Sequence, residues 1–139
     1  MAEYTTGDVI QFPYLWAWQA ARGETEGRKD RPCCLALIVP LQNGNHRIFL
    51  LPITTSPPPA EAHAVEVPAI EARRAGLDSH LRQWVMVSEW NADILEQSFY
   101  LDHAEPRGRF SKPFLNGLLT ELRQLLQAGH LRTVSRSTP

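Results

Sequence analysis

At 139 residues the chain has the length of one ordinary domain, enough for a single core and too short for two. With 43% apolar and 21% charged residues its composition is that of a globular domain, outside the range of disordered tails and membrane proteins. Fourteen basic and fifteen acidic residues leave a net charge of −1, so no global positive field draws in phosphates and a nucleic-acid role has to rest on a local patch.

Eleven prolines and eight glycines cut the chain into short segments and argue against a helical bundle. Asp8-Val9-Ile10-Gln11-Phe12 is a β-branched and aromatic run that starts after Gly7 and stops at Pro13, a first strand. Residues 14–30 read as one long loop, aromatic at first (Tyr14, Trp16, Trp18) and then polar from Arg22 to Asp30. A structureless loop of that length in a small domain is usually functional or mobile.

Cys33 to Val39 is an unbroken apolar run between Pro32 and Pro40, the pattern of a strand buried on both faces. Asn43-Gly44 predicts a type I′ hairpin turn, with Arg47 to Leu51 as the return strand. That strand leads into Thr54-Thr55-Ser56, and Pro57-Pro58-Pro59 holds the exit extended. Ala64 to Val67 reads as a strand, Pro68 to Gly76 as a short helical turn, and Trp84 to Trp90 as one further strand. Residues 93–102 carry no clear pattern. Ser111 can cap a helix starting near Pro113, whose leucines at 115, 118, 119, 122, 125 and 126 form one stripe closed by Gly129. The tail from Arg132 is polar and reads as frayed.

No run approaches a membrane span and the first residues lack signal-peptide character, so a cytoplasmic location without membrane contact is expected. Cys33 and Cys34 are adjacent, a spacing that suits neither an ordinary disulfide nor a metal pair, and they read as small buried apolar residues. The five histidines stand apart, and no phosphate-cradling glycine loop, dinucleotide fingerprint or nucleophile elbow is present, so no metal and no cofactor is expected.

Three polar groups sit at the ends of predicted strands, where a sheet can hold side chains beside loops. Arg28-Lys29-Asp30-Arg31 precedes the most apolar strand, and an arginine there can grip a phosphate bidentately; a solvated loop has the same composition. Thr54-Thr55-Ser56 can hold phosphate oxygens or simply satisfy a turn. Arg107-Gly108-Arg109-Phe110 with Lys112 can follow a nucleic-acid backbone or be a solvated turn before the helix. Glu89 and Asp93 flank Trp90 and offer a possible acid and base, again with the plain alternative of exposed strand-end carboxylates.

In order, Gly7-Asp8-Val9-Ile10, then Gly27-Arg28-Lys29-Asp30-Arg31-Pro32 before an apolar strand, then Leu51-Pro52-Ile53-Thr54-Thr55-Ser56, resemble the MazF/PemK family of toxin endoribonucleases. The resemblance covers roughly the first half of the chain and rests on short motifs. It implies a mainly β fold with α, an SH3-like small β-barrel over residues 1–131 with a C-terminal amphipathic helix, followed by a polar tail over 132–139. It further implies a homodimer that cuts single-stranded RNA without a metal, through attack of the ribose 2′-OH on the adjacent phosphate, and that a cognate antitoxin protein inhibits.

By position, Arg31 and Thr54 would be the catalytic pair, with Arg28, Lys29, Thr55 and Ser56 binding RNA. Glu24 or Glu26 would be the general base by analogy. The first loop is longer and more aromatic than the family's, and Glu89-Trp90-Asn91 stands where the family has an Asp-Gln pair. Those departures keep open a non-catalytic barrel that binds protein or nucleic acid, a gyrase poison among them.

Overall fold

The computed structural model describes residues 3–101 and 105–137, with every side chain in them except that of Phe99. Eight strands hydrogen-bond into one sheet. In chain order the elements are β1 (Asp8–Phe12), α1 (Ala17–Ala21), β2 (Arg31–Pro40), β3 (His46–Thr54), β4 (Ala64–Glu66), α2 (Ala69–Arg74), β5 (Trp84–Met86) and β6 (Glu89–Ile94). Two 3-10 turns (Leu95–Gln97, Phe99–Leu101), β7 (Gly108–Arg109), α3 (Lys112–Gln127) and β8 (Arg132–Ser135) complete it.

The main path of the sheet runs β4-β5-β3-β2-β1-β7, and β6 lies along β3 and carries β8. Its end strands β4 and β7 do not pair with one another, so the sheet is open. The expected SH3-like barrel is therefore corrected to a mixed α/β fold built on one large sheet. All pairings are antiparallel except β6 with β8.

The apolar run of β2 serves two cores, one on each side of the sheet. Val9, Cys34, Leu51 and Val85 face α3, where Leu115, Leu118, Leu122 and Leu125 meet them. Ile10, Cys33, Leu35 and Leu50 point the other way and pack with Phe12, Tyr14 and Leu101. The adjacent cysteines are thus split between the two cores, and burial pushes both thiols up, that of Cys34 to about 12. The far half of β2 is less enclosed, and Val39 is exposed.

Ser111 caps α3 as its position predicts: its Oγ accepts from Phe114 N at 3.3 Å and donates to Glu71 Oε2 at 2.7 Å. The buried leucines follow the seam 115, 118, 122 and 125, and Leu126, about 100° round the helix from Leu125, lies at the edge of that face and is 57% exposed. A Leu126→Gln substitution is accordingly expected to change stability by less than about 0.5 kcal/mol, measured by urea melting.

Other expectations give way to long-range pairing. The 84–90 run is two strands: β5 pairs with Ile53 and Thr54, β6 with residues 47–50, and the interruption faces Leu51 and Pro52, the latter without an amide hydrogen. The 41–45 turn is not type I′, since among the described residues only glycines have positive φ and a type I′ turn needs two such residues; here Gly44 alone supplies one (φ 88°). The tail expected to fray instead forms β8, parallel to β6, with Trp90 Nε1 donating to Thr133 Oγ1 at 2.7 Å. The 14–30 loop contains α1. Asp102, at the end of the patternless stretch, lies outside the described residues. Among the described residues no helix is long and apolar enough to cross a membrane.

Candidate functional site

The first loop is held to the sheet by two polar side chains of β6 two residues apart, hence on one face of the strand. Asn91, wholly buried, accepts from Leu15 N at 2.9 Å and donates to Leu15 O at 2.7 Å, pairing with that backbone as a neighbouring strand would. Glu89 Oε1 accepts from Tyr14 OH at 3.0 Å and from Ala17 N at 2.9 Å. Arg136, just past β8, donates to Pro13 O and to Asn91 Oδ1, closing the clamp from the other side.

With its start fixed, the loop turns into α1, where Trp16 N donates to the buried Gln19 Oε1 at 3.0 Å. It then returns against itself at Gly27. A Cβ there would fall 2.1 Å from Pro13 O, so only glycine allows this approach.

The clamp presents Trp16 and Trp18 beside the start of β2. The Arg31 guanidinium lies 5.0 Å from the centre of the Trp16 ring, and Arg28 5.0 Å from that of Trp18. Both distances are within cation–π range. Next to these rings a groove of about 530 Å³ is lined by Trp16, Trp18, Lys29 and Arg31 on one side, and by Thr54, Thr55, Ser56 and Pro57 to Pro59 on another, with Met86 and Glu89 completing it. A pocket of about 280 Å³ continues it past Trp18 to Arg28. The shared walls of the two make one surface.

Five of the residues singled out from the sequence therefore come together: Lys29, Arg31, Thr54, Thr55 and Ser56. Arg28 is in the adjoining pocket, where a bidentate pair with Glu24 (2.9 and 3.0 Å) already occupies it. Lys29 and Arg31 have no carboxylate partner among the described residues, so they are the cations of the groove that an anion can claim. Thr54 Oγ1 accepts from Ser56 N at 3.1 Å, as a turn hydroxyl does, while its own O–H is left to donate.

The acids offered as a general base are engaged elsewhere. Glu24 is tied to Arg28, which holds its carboxyl below the usual range, and Glu26 accepts from Tyr100 OH at 2.8 Å. Glu89 and Asp93 do not form an acid–base pair. Four residues apart on a strand, they stand roughly 13 Å from each other, and Asp93 Oδ2 accepts from Ser98 Oγ. In the basic group near β7, Arg109 is engaged in the fold, bridging to the buried Asp8 at 2.8 Å.

Two features of the site are not prominent in the sequence. Trp16 and Trp18 stand there only as aromatics of a long loop, although two indoles in an otherwise polar stretch are a usable signal. The role of Glu89 is invisible locally, because its partners are more than seventy residues away.

Burial raises the Glu89 carboxyl above the ordinary range, against the opposing effect of the hydrogen bonds from Ala17 and Tyr14 and of nearby Arg132. A carboxyl that holds its proton more tightly when folded favours folding at low pH, and that contribution is lost as pH rises through its unfolded and then its folded value. Glutamine keeps an acceptor for both donors and has no such dependence. The melting temperature of Glu89→Gln minus that of the wild type is therefore expected to grow from about pH 3 to about pH 7. A difference that stays flat over that range would show that Glu89 is as well solvated as an exposed side chain.

The toxin endoribonuclease expected from the resemblance is corrected by these observations. That activity was carried over together with a closed barrel, and the sheet is open. Among the described residues no three or more His, Cys, Asp or Glu side chains gather so as to hold a metal ion. The homodimer, the antitoxin partner, the gyrase poison and the non-catalytic barrel follow from that same closed fold, which the open sheet does not provide. No family model, curated protein or solved structure matches the chain, which leaves the groove itself as the ground for a functional reading.

Proposed function

We propose that the groove beside Trp16 and Trp18 binds a short segment of single-stranded RNA. The observation that carries this reading is the convergence of two indole rings, two cations without a carboxylate partner and three hydroxyl-bearing residues on one groove of about 530 Å³. Each component matches a part of a nucleotide. Indole faces stack bases, Lys29 and Arg31 neutralise phosphates, and the hydroxyls of Thr54, Thr55 and Ser56 exchange hydrogen bonds with phosphate oxygens and the 2′-OH. The volume lies in the range of sites that take a small ligand, roughly 300–1,000 Å³. The groove therefore covers only a few nucleotides of a strand.

Fluorescence anisotropy of a labelled octauridylate with the full chain tests this. Saturable binding is expected, with log K falling against log salt at a slope of roughly −1.4 for two phosphate contacts. Absence of binding at low salt would refute the reading.

A further inference from the structure

Glu89 is the only carboxylate that lines this groove among the described residues, and its surroundings fix it there. Both lone pairs of Oε1 are taken, one by Tyr14 OH and one by the Ala17 amide, so the carboxylate plane is anchored to the loop that carries the two indoles. Oε2 has no hydrogen-bond partner among the described residues. Burial raises this carboxyl, and Arg132, opposite Glu89 on β8, offsets part of that effect. An anchored anion beside Arg31 and Lys29 repels phosphate, so in a bound strand it meets a base edge and not the backbone.

A carboxylate oxygen only accepts. On the Watson–Crick edges, cytosine and adenine each offer one amine beside an acceptor nitrogen, and uracil offers one N–H between two carbonyls. Guanine alone presents two adjacent donors, N1–H and the N2 amine, with no acceptor between them. We propose that Glu89 makes the groove selective for guanine, with the two lone pairs of its one remaining oxygen, Oε2, accepting from N1–H and N2–H while the base stacks against the indoles. This inference rests on the RNA-binding reading and names the base that the reading leaves open.

Labelled uridine octamers carrying one central guanosine, inosine, adenosine or cytidine, compared by anisotropy with the full chain, test it. A single guanosine avoids four-stranded structures. The guanosine octamer is expected to bind about ten-fold more tightly than the adenosine, cytidine and all-uridine octamers, with inosine, which lacks the N2 amine, falling between. Glu89→Gln is expected to bring the guanosine and all-uridine affinities within about two-fold of one another, whatever its effect on overall affinity.

Equal affinities for all octamers, within about two-fold, or a guanine preference that survives in Glu89→Gln, overturn the guanine assignment and leave the groove reading standing. Failure of every octamer to bind overturns both. Should Glu89→Gln prove unfolded, equal binding of the guanosine and inosine octamers by the wild-type chain overturns the assignment.

Discussion

Asn91→Leu is expected to lower the melting temperature by on the order of 10 °C. Leucine has the branching of asparagine and is bulkier, so no cavity opens, and the loss is one of hydrogen bonding with some crowding added. Asn91 is 0% exposed, and its amide satisfies both the N–H and the C=O of Leu15, itself buried. Each of those backbone groups left without a partner costs about 1–3 kcal/mol, and Arg136 loses one of its acceptors. A total of roughly 3 kcal/mol or more corresponds to that shift for a domain of this size.

Calorimetry measures the effect, and tryptophan fluorescence reports whether Trp16 and Trp18 leave their places. Asn91→Asp separates the two bonds. It keeps the acceptor for Leu15 N but offers Leu15 O a charge in place of a donor, and is expected to be no better tolerated than leucine. A melt within about 2 °C of the wild type in Asn91→Leu would mean that the loop is held without this residue.

That clamp also shows where local sequence stops being informative. β1, β2 and α3 are legible because the signals that define them are adjacent: a β-branched run ended by Pro13, an apolar run between Pro32 and Pro40, and a leucine stripe behind the Ser111 cap. The openness of the sheet is not legible, since closure depends on whether β4 meets β7, and no local pattern encodes that pairing. β8 is short and polar and exists only because β6 offers it an edge, together with the Trp90–Thr133 bond. α1 spans five residues, too few to nucleate alone, and stands because Glu89, Asn91 and Gln19 secure its entry.

The same divide runs through the site. Arg31 and Thr54 are found from sequence because each ends a readable strand, and the antiparallel pairing of β2 with β3 brings those ends together: Cys33 lies opposite Pro52 in register, two residues from either one. The resemblance implies Arg28 as an RNA contact, and in the fold the side chain four residues earlier, Glu24, pairs with it. Glu89-Trp90-Asn91, which looks like a motif replaced, is instead the support of the aromatic loop, with Trp90 turned into the other core.

Arg31→Ala and Trp18→Ala are expected to weaken RNA binding by different physical routes, and the difference identifies the groove. Arg31 carries one of the two free cations, so its loss should lower affinity about ten-fold near physiological salt and reduce the salt slope by roughly 0.7, the share of one single-strand phosphate contact. Trp18 contributes a ring face. Base stacking on an aromatic is worth about 1–3 kcal/mol, so Trp18→Ala should weaken binding five-fold to over a hundred-fold with the salt slope unchanged.

Trp18 is 46% exposed, and its removal leaves the cores intact, so a fall in affinity without a fall in melting temperature reads contact with the strand and not damage to the fold. Arg31 is less free of the structure, since it stacks on Trp16, and Arg31→Lys provides the control: it keeps the charge but not the planar fork. If lysine restores the salt slope while affinity stays low, the guanidinium acts through bidentate geometry on a phosphate. If neither alanine variant changes affinity, the strand binds elsewhere, and the joining of rings, cations and hydroxyls in this groove has another purpose.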